Sequence, residues 1–556
     1  MKKYILFLIV LVGLISCSDF LDKEPQGSPE KDNYYRTTYQ LQEALNATYD
    51  ILQTRNYNNC EWIFGEACGD DVIGNDESTT NQISQLVNFN FNTSNNWIRD
   101  RYNINYKGIN RANQVIANTY KVQLASEDIN GYVTIREILA QAKFLRALFY
   151  FNLVKTYGGV PIRPEIEDID NLSIPRSTKE EVYAYIEKDL REASIMLRSK
   201  FTDSNAGKAG CGASIALLMK VLGYQAKPGE ESDKWKEMVK LGEYFIEGKT
   251  ITYNEILHFE NYEEPWDELR EKLWFKPKDK LTATDPYEDL NTTLPAVANE
   301  YSLEAKSSYD GSLLHYRELY YQKGEFCTRS VFEVVFKESA NGEAESEDLN
   351  EGTGIFQDIF MTRMFASNTF LSETASDPRK DDIVLAHAAV SFDGERIEVP
   401  PGRTGCMKWY TPKVERPVIE NDNGKNRRVI IYSEVVLWYA EALNETGNRV
   451  KSLDQLNSIK KIANKINNTS VLYKAGTYME MRDQIWKERR IELCHLWDRF
   501  FDLARQGRAA QVLHAFATET THNRGINFIE GINEVFPIPQ NEIDITNGLV
   551  TQNPGY

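Results

Sequence analysis

The chain has 556 residues, of which 42% are apolar and 26% are charged. This composition is typical of a globular protein with enough apolar material for a large core, and it excludes a disordered or fibrous chain. The formal net charge is −18, which opposes binding to nucleic acid and favours a neutral ligand over a polyanion.

The N-terminus carries the signals of an exported lipoprotein. A short basic start precedes an apolar run over 4–15, which is too short to span a bilayer and is typical of a signal peptide. The run leads to Ser16 and Cys17, a pattern similar to a bacterial lipobox, in which the cysteine is acylated. We therefore predict a signal peptide over 1–16 and a lipid anchor on Cys17 that tethers the protein without spanning the membrane.

The remaining cysteines do not form a recognisable framework. They show no C-x-x-C spacing, and their density is far below that of a disulfide-rich scaffold. Buried free thiols are the main interpretation, while a bridge between Cys60 and Cys68 stays open because export permits it. These cysteines are Cys60, Cys68, Cys211, Cys327, Cys406 and Cys494.

Hydrophobic periodicity divides the mature chain into two helical blocks with an aperiodic segment between them. The predicted parts are a lipidated tether (17–31), an N-terminal helical block (32–250), an irregular variable segment (251–428) and a C-terminal helical block with a tail (429–556). Helix pairs with short connections are typical of helical-repeat scaffolds. The predicted fold class is therefore mainly α and tetratricopeptide-like, with a loop-rich insertion that carries a few short strands. Residues 32–556 are expected to form one compact unit.

The clearest helical face in the first block runs from Ile135 to Leu153. It is followed by Gly158 and Gly159 and then by Pro161, a glycine cap with a proline stop. A capping box at 177–180 is predicted to start the next helix. The other faces of this block are predicted over 41–52, 102–116, 182–197, 213–224 and 235–246.

The second block predicts three helical faces. They cover 436–443, which Gly447 closes, then 453–466, and then a face that continues from Ile485 to Leu503. In the middle segment periodicity fails, and only 330–336 reads as a short strand. Because loops on a rigid scaffold commonly hold ligands, the middle segment is a candidate for recognition.

The sequence lacks the common catalytic and metal-binding motifs. It contains no G-x-S-x-G, G-x-x-x-x-G-K-[ST] or H-E-x-x-H, and its six histidines are scattered. The stretch Asp422–Gly424 lacks the twelfth-position glutamate of a calcium loop. We therefore predict no catalytic residue, no metal ligand and no cofactor. A glycoside hydrolase stays open, because its two acids cannot be recognised from their spacing in sequence.

Aromatic residues make up 12% of the chain, with 30 tyrosines and nine tryptophans. Aromatic planes stack on the C–H faces of sugars, while neighbouring carboxylates and amides bind the hydroxyls. Trp438, Trp486 and Trp497 lie in helical patterns and are expected in the core. The candidates for ligand contact are Trp62, Asp71, Trp97, Trp266, Trp274, Trp409 and Tyr410.

The most distinctive segment of the chain is AKFLRALFYFNL at 142–153, followed by YGGVP at 157–161. This segment and several others resemble the SusD/RagB family of nutrient-binding outer-membrane lipoproteins. One departure is Leu496–Trp497, at the place where the family usually has Glu-Gly. The middle segment carries little resemblance, which leaves the ligand open. The other similar segments are 17–25, 175–190, 439–445, 488–507 and 536–556.

The resemblance implies a function in capture rather than catalysis. It implies a lid, lipid-anchored on the outer membrane and facing the exterior, that docks on a TonB-dependent transporter and holds a nutrient between itself and the barrel. The middle segment and the region from Trp62 to Trp97 would shape the ligand site. A glycan or oligosaccharide is the expected ligand, and a peptide is the main rival within the family. A surface glycoside hydrolase and a purely structural partner of the transporter also stay open.

Overall fold

The computed structural model describes residues 34–74, 81–125, 128–166, 173–258, 265–274, 290–337, 360, 363–387, 389–391, 393–396, 399–416, 424–520 and 523–556. The predicted signal peptide, Cys17 and the tether lie outside these residues, as does Asp422.

The first block is a series of helices that pack on one another in chain order. α4 packs on α5, α5 on α6, α6 on α7 and α7 on α8. The longest, α5, ends at Gly158, whose φ of 72° confirms the predicted glycine cap. The helices are α1 (Thr38–Asp50), α2 (Arg55–Trp62), α3 (Gln82–Val87), α4 (Asn96–Asn118), α5 (Ile129–Tyr157), α6 (Lys179–Met196), α7 (Cys211–Gln225) and α8 (Asp233–Glu247).

Helix α6 begins one residue later than predicted. Thr178 is its N-cap: the Thr178 hydroxyl accepts a hydrogen bond from the Glu181 N–H (3.2 Å), and the Glu181 carboxylate accepts one from the Thr178 N–H (2.7 Å). The predicted capping box at 177–180 was therefore wrong by one residue. Ser177 lies just outside the helix, where its N–H donates to the carbonyl of Val160 (3.3 Å) and ties it to the preceding turn.

The middle segment contains short helices and short strands. Its helices are α9 (Tyr253–Leu257), α10 (Trp266–Trp274), α11 (Asn368–Thr374) and α12 (Lys380–Ile383). The strands among the described residues are β1 (Val72–Gly74), β2 (Ser330–Val334), β3 (Met364–Ala366), β4 (Val384–Ala386), β5 (Thr404–Cys406) and β6 (Arg427–Ile431). They form three antiparallel pairs, β1 with β3, β2 with β6 and β4 with β5. The strand predicted at 330–336 is confirmed as β2, which ends two residues earlier and pairs Ser330 with Ile431, just beyond the end of the middle segment.

The second block continues the helical stack of the first. Its helix α13 packs on α7 and α8, and α14 and α15 then pack on α13. One hydrophobic cluster includes side chains from both blocks. These observations confirm a mainly helical scaffold. The helices are α13 (Tyr432–Glu445), α14 (Arg449–Ile466), α15 (Tyr478–Glu492), α16 (Arg499–Arg505), α17 (Ala509–Ala517) and α18 (Gln540–Ile545).

The continuous helical face predicted from Ile485 to Leu503 was wrong. The chain forms two helices there, because α15 ends at Glu492 and α16 begins at Arg499. Between them His495 and Trp497 have φ values of 60° and 72°. Such left-handed residues interrupt an α-helix, so the apolar spacing continues across a turn.

The last turn of α15 carries buried charges that bind other parts of the chain. Their partners come from the first block, the middle segment and the helix that follows. Removing one partner of such a pair leaves an unpaired buried charge, which costs about 3–5 kcal/mol. The pairs are Glu488 with Arg379 (2.6 Å), Glu492 with Arg379 (2.7 Å), Arg489 with Asp502 (3.2 Å) and Arg490 with Asp70 (2.8 Å).

Two buried titratable side chains hold the end of the middle segment in place. The Lys425 ammonium donates hydrogen bonds to the carbonyl oxygens of Trp409 and Tyr410 (both 3.1 Å). The Glu325 carboxylate accepts one from the Asn426 N–H (2.8 Å). Burial lowers the pKa of Lys425 to about 7 and raises the pKa of Glu325 to about 7.

Within the described residues, no helix has both the length and the apolarity that crossing a bilayer requires.

Replacing Thr178 with alanine tests the observed start of α6. The substitution removes the hydroxyl that accepts from Glu181, so we expect a loss of about 1 kcal/mol in the free energy of unfolding, measured by urea denaturation. Ser177→Ala is the matched control and should change stability by only a few tenths of a kcal/mol, roughly the effect of an ordinary surface substitution. A larger loss for the Ser177 variant would show that the helix starts where the sequence pattern placed it.

Replacing Glu325 with glutamine tests its raised pKa. The folded wild type holds the Glu325 proton more tightly than the unfolded chain does. Its free energy of unfolding therefore falls as the pH rises from the ordinary pKa of 4.5 to about 7. Glutamine keeps the acceptor for Asn426 but cannot ionise. The free energy of unfolding of the variant, relative to that of the wild type, should therefore rise by up to about 3 kcal/mol between about pH 5 and pH 8.

Urea denaturation of both proteins at about pH 5 and about pH 8 measures this change in the free energy of unfolding. The control is Glu230→Gln, at an exposed position. If the stability curves of wild type and the Glu325 variant run parallel, Glu325 is already ionised in the folded protein at pH 5.

Candidate functional site

Two of the predicted contact residues, Trp62 and Trp409, meet in one buried aromatic cluster. Phe360 lies between them, with ring centroids 6.1 Å from Trp62 and 5.9 Å from Trp409. Trp409 also stacks on Trp497 at 4.6 Å, and its indole N–H donates to the carbonyl of His495 (3.0 Å). Trp62 and Trp409 are 6% and 5% exposed, so their rings serve mainly to join the first block to the middle segment.

Trp497 completes this cluster from an unusual backbone conformation. Its φ of 72° is one that glycine adopts at little cost, and it stands where the SusD/RagB resemblance leads one to expect glycine. Gly65 packs against the same turn, and a Cβ on Gly65 would overlap the carbonyl oxygen of Trp497. Trp438, Trp486 and Trp497 are confirmed in the core, although Trp497 lies in a turn rather than in a helix.

Asp71 lies in a buried ion-pair network. Its carboxylate accepts a hydrogen bond from Arg490 Nε (2.7 Å), while Asp70 is bound by Arg490 (2.8 Å) and Arg499 (2.6 Å). Burial alone would raise the pKa of Asp70, but the charges of Arg490 and Arg499 hold it below its usual range. Burial raises the pKa of Asp71, whose second oxygen accepts no hydrogen bond among the described residues. Asp71 is 1% exposed, so it supports strand β1 from the interior.

Tyr410 has a buried ring, and its hydroxyl reaches a polar surface cluster. The hydroxyl donates to Asp393 (2.7 Å), and a Glu395 oxygen lies 3.1 Å away. Arg416 pairs with Glu395, and the Lys413 N–H donates to Asp393 (2.9 Å). Asp393, Glu395 and Arg416 are partly exposed. We call Asp393, Glu395, Tyr410 and Arg416 the Tyr410 cluster.

Both carboxylates of the Tyr410 cluster are ionised at neutral pH. Burial would raise the pKa of Asp393, but hydrogen bonds from Lys413 and Ser391 lower it to about 2. The hydrogen bond from Arg416 lowers the pKa of Glu395. Ionised carboxylates accept hydrogen bonds and do not donate them. The cluster therefore presents acceptors to hydroxyl or N–H donors.

Sequence reasoning selected Tyr410 but missed the rest of the Tyr410 cluster. One available signal was Asp393–Gly394, a pair typical of tight turns, in which Gly394 has a φ of 82°. Arg416 had no such signal, because its partner lies 21 residues earlier and is reached through the fold.

The other predicted tryptophans lie in helices at the edge of the core. Trp97 lies in the first turn of α4, where its main-chain N–H donates to the side chain of the N-cap residue Asn95 (3.0 Å). Trp266 begins α10, which packs on α5. Both rings pack against the main core and are partly exposed. Trp274 ends α10, and its side chain lies outside the described residues.

The cysteines of the described chain are all free and buried. The free-thiol interpretation is confirmed, and Cys60 and Cys68 are not bridged. In the part of the chain that the structure describes, no three His, Cys, Asp or Glu side chains are grouped to hold a metal ion.

Two family sequence models match the chain. One is described as "SusD family" and matches residues 404–556. The other is described as "Starch-binding associating with outer membrane" and matches residues 19–221. Together they cover more than half of the chain, including most of both helical blocks.

Curated relatives match over the whole length. "SusD-like protein P2" from Formosa agariphila is 24% identical, with 100% of both chains covered. "SusD-like protein P25" from the same organism is 21% identical, with 100% of this chain and 99% of the relative covered.

Solved structures have the same fold. A "Laminarin binding SusD-like protein" superposes with a TM-score of 0.68 at 22% identity, covering 94% of this chain and 100% of the other. "Surface glycan-binding protein A from Bacteroides thetaiotaomicron in complex with laminarihexaose" gives a TM-score of 0.67 at 18% identity, covering 93% and 99%. With its helical scaffold, its long insertion and both family matches, the chain belongs to the SusD/RagB family.

Proposed function

We propose that this protein captures a glycan at the outer membrane and delivers it to a TonB-dependent transporter, without catalysing a reaction. The observation that carries the proposal is the superposition of 93–94% of the chain on a laminarin-binding protein and on a glycan-binding protein in complex with laminarihexaose. Laminarihexaose is therefore the first ligand to test, and a starch oligosaccharide is the second because of the family description.

The Tyr410 cluster supports a ligand rich in hydroxyl groups. Asp393 is an ionised acceptor at the surface, whereas the Glu395 carboxylate and the Arg416 guanidinium are already paired with each other. Sugar hydroxyls donate to such acceptors. A peptide backbone offers carbonyl acceptors as often as N–H donors, so half of its polar groups would lack a partner there. This difference favours a glycan over a peptide.

The partly exposed tryptophans are the proposed stacking surfaces. Trp97 and Trp266 keep part of each ring at the surface while the rest packs on the core. A rigid, half-buried ring can receive a sugar face with little loss of side-chain entropy. We propose that these two rings contact ligand, and that Trp62, Asp71 and Trp409 support the site from the interior.

Two measurements test this function: whether the protein binds each ligand, and whether the ligand is recovered intact. The full-length chain, purified in detergent, is titrated with laminarihexaose, maltohexaose and a mixed peptide pool, and each ligand is then recovered and analysed. We expect saturable binding of one oligosaccharide, recovered intact. Binding of peptide alone would show that the ligand is a peptide and not a glycan. Recovery of shortened oligosaccharides would show that the protein is a glycoside hydrolase.

Substitutions in the same titration locate the contacts. Trp97→Ala, Trp266→Ala and Asp393→Asn should each weaken oligosaccharide binding by about tenfold, which corresponds to about 1.4 kcal/mol. The control is Tyr120→Ala, which removes an exposed aromatic ring outside the proposed contacts. Equal affinity of all four variants and the wild type would remove these residues from the site while leaving capture itself untouched.

The lipid anchor on Cys17 is tested separately. Replacing Cys17 with alanine removes the acylated thiol, so the protein should move from the outer-membrane fraction to the soluble fraction. Immunoblotting of fractionated cells measures the distribution, and Cys60→Ala is the matched control. A variant that stays in the outer-membrane fraction would contradict the predicted lipobox.

A further inference from the structure

Arg427, the first residue of β6, is a buried cation that forms no ion pair or side-chain hydrogen bond with a carboxylate among the described residues, although its charge helps to lower the pKa of Glu61 nearby. Its side chain is 6% exposed. Its guanidinium lies over the rings of Trp497 (5.0 Å) and Tyr57 (5.7 Å), and its Nε has no hydrogen-bond partner. Within the described ranges it makes no ion pair. An uncompensated buried ion costs several kcal/mol, so the site needs another source of negative charge or polar contact.

The Arg427 side chain lines a cavity of about 30 Å³. That volume holds one halide-sized ion or about two water molecules. The cavity lies between β6, α5, α7 and the turn after α15. The other polar side chains that line it are Tyr57, Glu61, Asn152, Lys155, Lys220 and Asp498.

The charged side chains around this cavity do not balance, and they carry one excess positive charge. Each carboxylate is already paired with a cation other than Arg427. Four cations therefore stand against three carboxylates, and the excess charge belongs to Arg427. The pairs are Arg101 with Glu61 (2.8 Å), Lys155 with Asp498 (3.4 Å), Lys220 with Glu434 (3.1 Å) and Lys220 with Asp498.

The opposite side of Arg427 adds more positive charge. A second cavity, of about 10 Å³, is lined by Arg427, Lys408, Lys425 and Arg428. The Lys408 ammonium donates to the main-chain carbonyl of Glu492 (2.7 Å), and Lys425 donates to main-chain carbonyls as well. Carbonyl oxygens satisfy these donors, but they do not neutralise the charges. On this side the Lys408 ammonium adds positive charge, whereas Arg428 is paired with Glu333 (3.7 Å) and the lowered pKa of Lys425 leaves that side chain only partly charged at neutral pH.

We propose that the cavity beside Arg427 binds one small monovalent inorganic anion, of which chloride is the common example. Arg427 would donate from its terminal nitrogens, and Lys155 and Lys220 would face the ion from α5 and α7. A divalent oxyanion would exceed both the single excess charge and the volume of the cavity. The ion would join β6, at the end of the middle segment, to the first helical block. This site is independent of the proposed glycan capture.

Bromide is the crystallographic probe for this site. Crystals of the full-length wild-type protein are soaked in sodium bromide, and anomalous data are collected at the bromine edge. We expect an anomalous peak inside the cavity, within hydrogen-bond distance of the Arg427 guanidinium. A cavity that contains only water gives no peak there, and that result overturns the proposal wherever else bromide binds.

Thermal unfolding measures the same site in solution. At equal concentration, sodium chloride should raise the wild-type midpoint by about 1–3 °C relative to sodium gluconate. Arg427→Met should lose this difference, while Arg449→Met, at an exposed position, should keep it. Equal wild-type midpoints in the two salts would overturn the proposal. If Arg427→Met does not fold, the wild-type midpoints and the bromide map decide.

Discussion

The buried charges in the last turn of α15 fix how the separate parts of the chain fit together. Arg379 comes from the middle segment, Asp70 from the first block and Asp502 from the following helix. Each residue along an α-helix turns by about 100°. A shift of one residue in α15 would therefore separate all of these pairs at once and leave several buried charges alone. A shifted packing would have to supply new partners for all of these buried charges at once.

The turn after α15 depends on that arrangement. With α15 held in place, the chain passes close to the backbone at Gly65 and adopts positive φ at His495 and Trp497. A non-glycine residue in this conformation costs about 1–2 kcal/mol. Burying a large aromatic side chain contributes about 1.5–3 kcal/mol, and stacking on Trp409 adds about 0.5–1.5 kcal/mol. The gain exceeds the cost, which explains how tryptophan stands where the family usually has glycine.

Sequence reasoning succeeded where local physics decides the structure. The apolar face from Ile135 to Leu153 and the glycine cap at Gly158 are local signals, and both correspond to α5. The start of α6 was placed one residue early, because Ser177 and Thr178 are equivalent as local caps. In the folded chain Ser177 instead binds the carbonyl of Val160, a contact that the local pattern does not contain.

The interruption after Glu492 could not be predicted from the local pattern. Its apolar spacing continues across the turn, and the close approach of the turn to the backbone at Gly65 arises only in the folded chain. Strand β1 was missed for a similar reason, since three residues carry little periodicity and their partner β3 lies about 290 residues away. The candidate site shows the same limit. Sequence can identify Trp62 and Trp409 as aromatics in aperiodic sequence, but only the stack on Phe360 and Trp497 places them inside the core.

Capture and catalysis place opposite demands on carboxylates. A glycoside hydrolase needs a carboxyl group that is protonated near neutral pH and also faces an open cleft. Asp71 and Glu325 have raised pKa values, but Asp71 is buried behind Arg490 and Glu325 is buried against the main chain of Asn426. Asp393 is open to the surface, but its hydrogen bonds keep it ionised. A surface of fixed, ionised acceptors on a rigid interior binds hydroxyl groups without transferring a proton, which is what the proposed capture of an intact glycan requires.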